Sequence, residues 1–242
     1  EAIAEVSDEA GNMRARTQRW AIYTQDEWTI NPKWSAHAGI RYENILTEGN
    51  NEEGAKRNQS GVLTPLLHAV WKPLPDSRDQ IRFSLTRSYK TPTLFNLVAK
   101  TALSREANSP TRVDRISNPG LKPELATGID VAVERYLAGG GVLSANVFRR
   151  NITDLIRSVT TERYDTVWAP GQRRFVSSPT NVGNAITQGL ELEAKFALNQ
   201  MWTEALPIDL RSNLSFFDSK VLDVLGPNNR LDQQPKMTAN LG

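Results

Sequence analysis

The chain has no cysteine and only two histidines, His37 and His68, in 242 residues. The first absence removes disulfides and thiolate chemistry. The second leaves little for a histidine metal centre, and neither residue stands in a ligand spacing such as H-E-x-x-H. No run approaches eighteen consecutive apolar residues, so a membrane-spanning helix is not expected, and the first residues do not read as a signal peptide. Charge of one sign is lacking too: Lys plus Arg number 29 and Asp plus Glu 27, a net of +2. That balance argues against a nucleic-acid partner held by a basic field. No nucleophile elbow, P-loop or framed carboxylate pair appears, so neither an enzyme nor a cofactor is expected. A membrane remains open, because a transmembrane β-strand needs only about 9–11 residues with an apolar side chain at every second one.

What the chain does have is alternation. Residues 34–43 put Trp34, Ala36, Ala38, Ile40 and Tyr42 on one row and Ser35, His37, Gly39, Arg41 and Glu43 on the other. Ile81, Phe83 and Leu85 oppose Gln80, Arg82, Ser84 and Thr86; Leu190, Leu192, Ala194, Phe196 and Leu198 oppose Gly189, Glu191, Glu193 and Lys195. After Pro119 and Pro123, which hold the chain extended, Ile129, Val131 and Val133 oppose Gly128, Asp130 and Glu134. Residues 207–217 repeat the pattern with Ile208, Leu210, Leu214 and Phe216 against Asp209, Arg211, Asn213 and Ser215. Two strands are less clean: Asp26 interrupts the apolar row of 20–30, and Arg149 that of 142–150. If these rows meet lipid, both charges belong near a rim, where an Arg costs about 0–1 kcal/mol rather than about 2–4 at mid-membrane.

The joins also alternate. Residues 31–33, 73–77, 138–141 and 199–206 read as short turns; 44–60, 90–122, 157–180 and 218–236 read as long loops. Antiparallel strands joined this way gather the tight turns at one end and the loops at the other, as outer-membrane barrels do. Trp28, Trp34, Trp71, Trp202 and Tyr136 stand beside the short turns, where an interfacial aromatic girdle belongs. The expected fold is therefore all-β, an antiparallel meander of eight strands and the start of a ninth.

Several phrases, in this order, resemble the barrel of TonB-dependent outer-membrane receptors over residues 18–242. They are Tyr23-Thr24-Gln25-Asp26-Glu27-Trp28 with Gly39-Ile40-Arg41-Tyr42-Glu43; Asn118-Pro119-Gly120-Leu121-Lys122-Pro123-Glu124; Phe148 to Ile156; Asn181-Val182-Gly183-Asn184-Ala185 with Gly189-Leu190-Glu191-Leu192-Glu193; and Gln234-Pro235-Lys236. The resemblance implies a slice of a plugged barrel of about 22 strands in the bacterial outer membrane. It implies uptake of a scarce nutrient, most often a ferric siderophore, driven by the TonB complex. Nothing in 1–242 matches the family's plug or its TonB box, so the whole chain reads as one partial barrel, not transport-competent alone and open at its edges.

On this reading Arg41, Glu43, Arg82, Arg87, Asp130, Glu134, Glu191, Glu193 and Arg211 face the lumen, as plug or substrate contacts or as cross-strand ion pairs. The candidate substrate-binding residues are Arg87 and Tyr89 at a strand end and Arg163, Tyr164, Trp168 and Arg173 in a long loop. Cations among aromatic rings suit an anionic, ring-bearing ligand, and equally the phosphates of lipopolysaccharide. A passive porin or a soluble all-β binding protein would use similar strands; the soluble alternative requires Ile40, Phe83 and Leu192 to pack together inside.

Overall fold

The computed structural model describes residues 2–7, 13–51, 53–74, 76–222 and 229–242, with side chains from Arg14 onward. In chain order the elements are β1 (Ala2–Ser7), β2 (Met13–Asn31), β3 (Trp34–Asn51), β4 (Gly54–Trp71), β5 (Gln80–Lys90), α1 (Leu94–Val98), β6 (Asp114–Arg115), β7 (Glu124–Tyr136), β8 (Val142–Thr153), β9 (Ile156–Arg163), β10 (Arg174–Asn181), β11 (Ala185–Ala197), α2 (Leu198–Met201), β12 (Asp209–Val221) and β13 (Met237–Leu241). Ten strands form one antiparallel sheet in the order β1-β2-β3-β4-β5-β7-β8-β11-β12-β13. The sheet is open, with β1 and β13 as its edges. A small second sheet, β6-β10-β9, is built from the two longest loops.

Register explains the alternation. Asp26, Ala38, Leu67, Leu85, Ile129, Arg149, Gln188 and Asp218 are successive cross-strand neighbours, and so are Glu27, His37, His68, Ser84, Asp130, Phe148, Gly189 and Phe217 on the other face. The apolar rows lie on the first face and stay exposed: Ile40, Phe83 and Leu192 keep 43, 38 and 38 % of their surface. A soluble protein would have buried them; a barrel wall turns them to lipid. From Trp20 to Ile30 that row spans about 34 Å of strand, or about 26 Å at a tilt near 40°, close to the ~25 Å band of such barrels, and Asp26 lies inside it rather than at its rim. Trp34 stacks on Trp71 at 5.8 Å beside the short turns, as a girdle would. Tyr136 does not join it: it lies on the polar face and donates to Glu134 Oε2 at 2.9 Å.

Among the described residues no core lies between layers. The buried apolar clusters among the described residues are small and sit at the loop end: Ala15, Leu97, Val98 and Leu121 in one, Leu155, Ala185 and Val221 in the other. In the first, Gly49 leaves the space that Val98 fills, since a Cβ there would stand 2.7 Å from the Val98 Cβ.

The loop expectations need three corrections. Residues 44–60 are not a loop: β3 and β4 stay paired to Asn51 and Gly54, so the hairpin continues well past the apolar band. Backbone pairing needs no apolar side chains, so the strands outlast the lipid-facing alternation that marks them in the sequence. Residues 90–122 and 157–180 carry α1 and the second sheet. In the 218–236 stretch, β12 runs to Val221, and 223–228 lie outside the described residues. A further strand, β1, pairs with β2 from Ala2↔Arg19 to Ser7↔Arg14.

Candidate functional site

The polar face carries a concavity of about 620 Å³, whose lining includes His68, Arg82, Asp130, Asn146, Glu191 and Glu193. Charges on this face are largely paired: Arg41 Nε to Glu43 Oε1 at 2.8 Å along β3, and across strands Arg82 Nη2 to Glu134 Oε1 at 2.5 Å and Arg150 Nη2 to Asp130 Oδ1 at 3.1 Å. Asn146 Nδ2 donates to Glu191 Oε2 at 3.0 Å, and the Arg211 backbone exchanges hydrogen bonds with Gly242. His37 and His68 stack at 6.0 Å, with His68 Nδ1 2.8 Å from Ser84 Oγ. Stacked rings aim their lone pairs past a common centre, and among the described residues no three His, Asp or Glu side chains converge on a metal position. Arg87 departs from expectation. It stands on the row of Phe83 and Leu85, opposite Thr127, and its Nε donates to Thr127 Oγ1 at 3.2 Å; residue 87 has the parity of the apolar row and so points outward, not to the lumen. Tyr89 interacts with Glu43 and the adjacent Arg19 and Arg41.

Residues 91–123 fold over the loop end of the polar face. Lys56 Nζ donates to Ala99 O at 3.0 Å, Asn51 Nδ2 to Val98 O at 3.0 Å, and Asn58 Nδ2 to Pro119 O and Leu121 O at 2.7 and 2.8 Å. The Asn-Pro-Gly-Leu phrase therefore seats a loop. Asn118 also donates to Pro179 O at 3.0 Å, tying the first loop to the second, and its Oδ1 accepts from Gly120 N–H.

Asp114 joins the two loops more firmly. It is fully buried; Arg174 grips both oxygens at 2.7 and 2.8 Å, Trp168 Nε1 donates to one at 3.0 Å and the Ser104 N–H to the other at 2.9 Å. Burial alone would raise this carboxyl, but the bonds from Arg174, Ser104 and Trp168 outweigh it and hold the pKa at about 2. Trp168 is thus engaged in structure. Nothing in the sequence marks Asp114, because a lone Asp in Val113-Asp114-Arg115 carries no local signal of burial.

The other loop candidates gather at the tip of the β9–β10 hairpin. Arg163 holds Asp165 through two bonds of 2.9 Å, which depresses the Asp165 carboxyl and raises Arg163. Tyr164 donates to Glu162 at 2.7 Å, which raises its phenol; Arg173 reaches Glu162 at 3.2 Å and lies 4.9 Å over the Phe175 ring. Arg163, Tyr164 and Arg173 thus share one exposed cluster with two carboxylates, while Arg87 and Tyr89 lie elsewhere on the sheet.

An open sheet with an exposed apolar face, a charged face and loops at one end defines a section of an outer-membrane β-barrel. Residues 5–242 match the model of the TonB dependent receptor-like β-barrel family. The chain belongs to that family, which is one of receptors and not of enzymes, and is located in the bacterial outer membrane. Among solved structures it is similar to the ferric citrate transporter FecA in the unliganded form, with TM-score 0.68 and 20 % identity over 95 % of this chain and 30 % of that one. It is also similar to the FrpB iron transporter of Neisseria meningitidis, with TM-score 0.62, 16 % identity, 94 % of this chain and 30 % of that one. The alcaligin outer-membrane receptor FauA of Bordetella pertussis gives 0.60 and 15 %, over 95 % and 34 %. The chain spans about a third of the length of these structures, and the likeness is one of fold. No curated protein matches.

Proposed function

We propose that this chain is a wall section of a receptor that binds a ferric siderophore and imports it with energy from the TonB system. Its polar face would turn to the lumen and its β6-β10-β9 loops to the exterior, with the TonB contact made through a segment outside residues 1–242. The observation that carries the reading is the cation and ring cluster of Arg163, Tyr164, Arg173 and Phe175 on a hairpin anchored by Asp114. Guanidinium groups and rings on a fixed support suit an anionic chelate whose own rings can stack. The iron-carrying names of the similar structures FecA and FrpB agree with this class. The loop over the end of the polar face, seated by Asn58, disfavours a passive open pore.

The test is a binding titration of the full-length receptor against ferric hydroxamate, catecholate and carboxylate chelates, read by tryptophan quenching. One chelate class should bind, and Arg163→Gln with Arg173→Gln should weaken it at least tenfold, the loss of roughly 1.4 kcal/mol or more. Binding of a cobalamin or a saccharide and of none of the chelates would refute the siderophore reading.

A further inference from the structure

Two charges on the membrane-facing side of the wall lack partners. Asp26 stands in the exterior row of β2 between Thr24 and Trp28, and its Oδ1 accepts only the N–H of its neighbour Glu27, at 2.9 Å. It lies four residues before Ile30, about 10 Å into the hydrocarbon at a strand tilt near 40°. Arg135 closes the exterior row of β7 after Ile129, Val131 and Val133. Both are exposed. Among the described residues neither forms an ion pair, and the Arg135 side chain makes no hydrogen bond. Ionisable groups at membrane depth are costly and pair with one another wherever the protein brings them together.

Register and tilt put these two charges at one depth. Asp26, Ala38, Leu67, Leu85 and Ile129 form a single row across β2, β3, β4, β5 and β7. The row climbs away from the short turns: Asp26 is five residues from the turn end of β2, Ile129 seven from that of β7 and Gln188 nine from that of β11. At a tilt near 40° the climb is about 3 Å per strand, or about 12 Å from β2 to β7. Arg135, six residues past Ile129 toward the turn, comes back down by about 15 Å. The carboxylate and the guanidinium therefore differ in height by about 3 Å, well within the reach of an arginine side chain. They cannot meet within one wall, because four strand spacings, about 25 Å of surface, separate them.

We propose that a second copy of the receptor supplies the missing partner: Arg135 of one copy meets Asp26 of the next in the plane of the membrane, and three copies close a ring. The angle selects the number. Four of about 22 strands turn about 65° around a barrel, and contact faces about 60° apart close a ring of three, where about 90° would close four. A two-fold contact at either residue would set like charges together, and a two-fold axis midway between them would leave both on the receding flanks of two convex walls. The surface beside Asp26 has room for an incoming side chain, since Ala38 stands opposite it and Ala36 and Ala69 occupy the next row toward the turns. Val133 and Leu143 beside Arg135 give the approaching face its apolar contact. The inference rests on the outer-membrane placement of the chain and is independent of which substrate is carried.

The experiment is native mass spectrometry of the full-length receptor released from membranes in a mild detergent, with amine-reactive crosslinking in the intact membrane as a second reading. The wild type should appear as a trimer in both. Asp26→Asn and Arg135→Gln should each cut the trimer fraction about tenfold, and neither adds a charge that would hinder insertion. Asp26→Arg alone and Arg135→Asp alone should be monomeric, while the two together, which exchange the charges, should restore the trimer. Arg149→Gln, an exterior cation nearer the loop end, should change nothing. A monomeric wild type by both readings would overturn the proposal, as it would if another strand of the same barrel supplied the cation for Asp26. A dimer or tetramer, a trimer indifferent to Asp26→Asn and Arg135→Gln, or a charge exchange that inserts but stays monomeric would overturn it equally.

Discussion

Replacing Asp114 should free the second sheet while leaving the first intact. The carboxyl is held near 2 against 3.8 for an ordinary Asp, a difference worth about 2 kcal/mol in favour of the charged, docked form. Because the folded pKa is the lower one, this contribution is present in full above about pH 4 and is lost as the pH falls through about 2. Asp114→Asn mimics the protonated state in shape and should cost about the same 2 kcal/mol of loop docking. Asp114→Ala also strands the Arg174 guanidinium and the Trp168 indole N–H, and should cost about 3–5 kcal/mol. The assay is hydrogen exchange on the full-length receptor. The Ile116 amide, bonded to Ser177 O at 3.0 Å, and the β9–β10 pairs report on docking, while the β3–β4 ladder serves as the internal reference. The Asn variant should accelerate the first group about thirtyfold at pH 7 and spare the second. Unchanged protection of Ile116 in the Ala variant, or equal loss throughout β3–β4, would refute the assignment of Asp114 as the tie between the loops.

Two further outcomes follow from the division of faces and from the loop contacts. Leu67→Arg, between Ala38 and Leu85 on the exposed apolar face, should destabilise the membrane-inserted receptor by about 2–4 kcal/mol; Ser144→Arg on the polar face should cost under about 1, both read by denaturant titration in vesicles. Asn58→Ala removes the donor shared by Pro119 O and Leu121 O and should loosen that seat by about 1–3 kcal/mol, seen as faster proteolysis in 91–123 with an unchanged barrel signal.

The sheet was legible in the sequence because each strand meets two different solvents. Lipid on one side and water on the other force a period of two, which can be counted in Trp34 to Glu43 or Leu190 to Glu193 without knowledge of any partner strand. That signal ends where the lipid ends. Beyond Tyr42, both faces of the β3–β4 hairpin are wet or covered by loop, so Glu48, Asn50, Arg57 and Gln59 looked like loop although their backbone is fully paired. Arg87 shows the same limit from the other side: its charge suggested the lumen, while its parity placed it outward. The loop contacts were hidden for a different reason. Asp114 meets Arg174 across sixty residues, and Asn58 meets Leu121 across sixty-three; nothing local announces either.

The same division assigns different sources of order to wall and loops. In the wall, the backbone ladder and the surrounding hydrocarbon do the work, and side chains on the polar face are free to vary in charge so long as cross-strand pairs such as Arg82 and Glu134 form. The loops have neither lipid nor a large core: their apolar clusters hold only a few residues each, so buried polar ties carry their conformation. A fully buried carboxylate gripped by an arginine is a specific tie and an unforgiving one, because no alternative register satisfies both groups. A hairpin tip such as Arg163 to Arg173 can then present its charges and rings from a defined base while the tip itself adapts to what it meets. If that is the arrangement, weakening the Asp114 tie should reduce ligand affinity through the ordering cost alone, without touching Arg163 or Arg173. Loss of affinity in Asp114→Asn should accordingly be recovered as temperature is lowered and the loops re-dock, whereas loss in Arg173→Gln should persist. Affinities that fall in parallel for the two variants at every temperature would contradict this separation of support from contact.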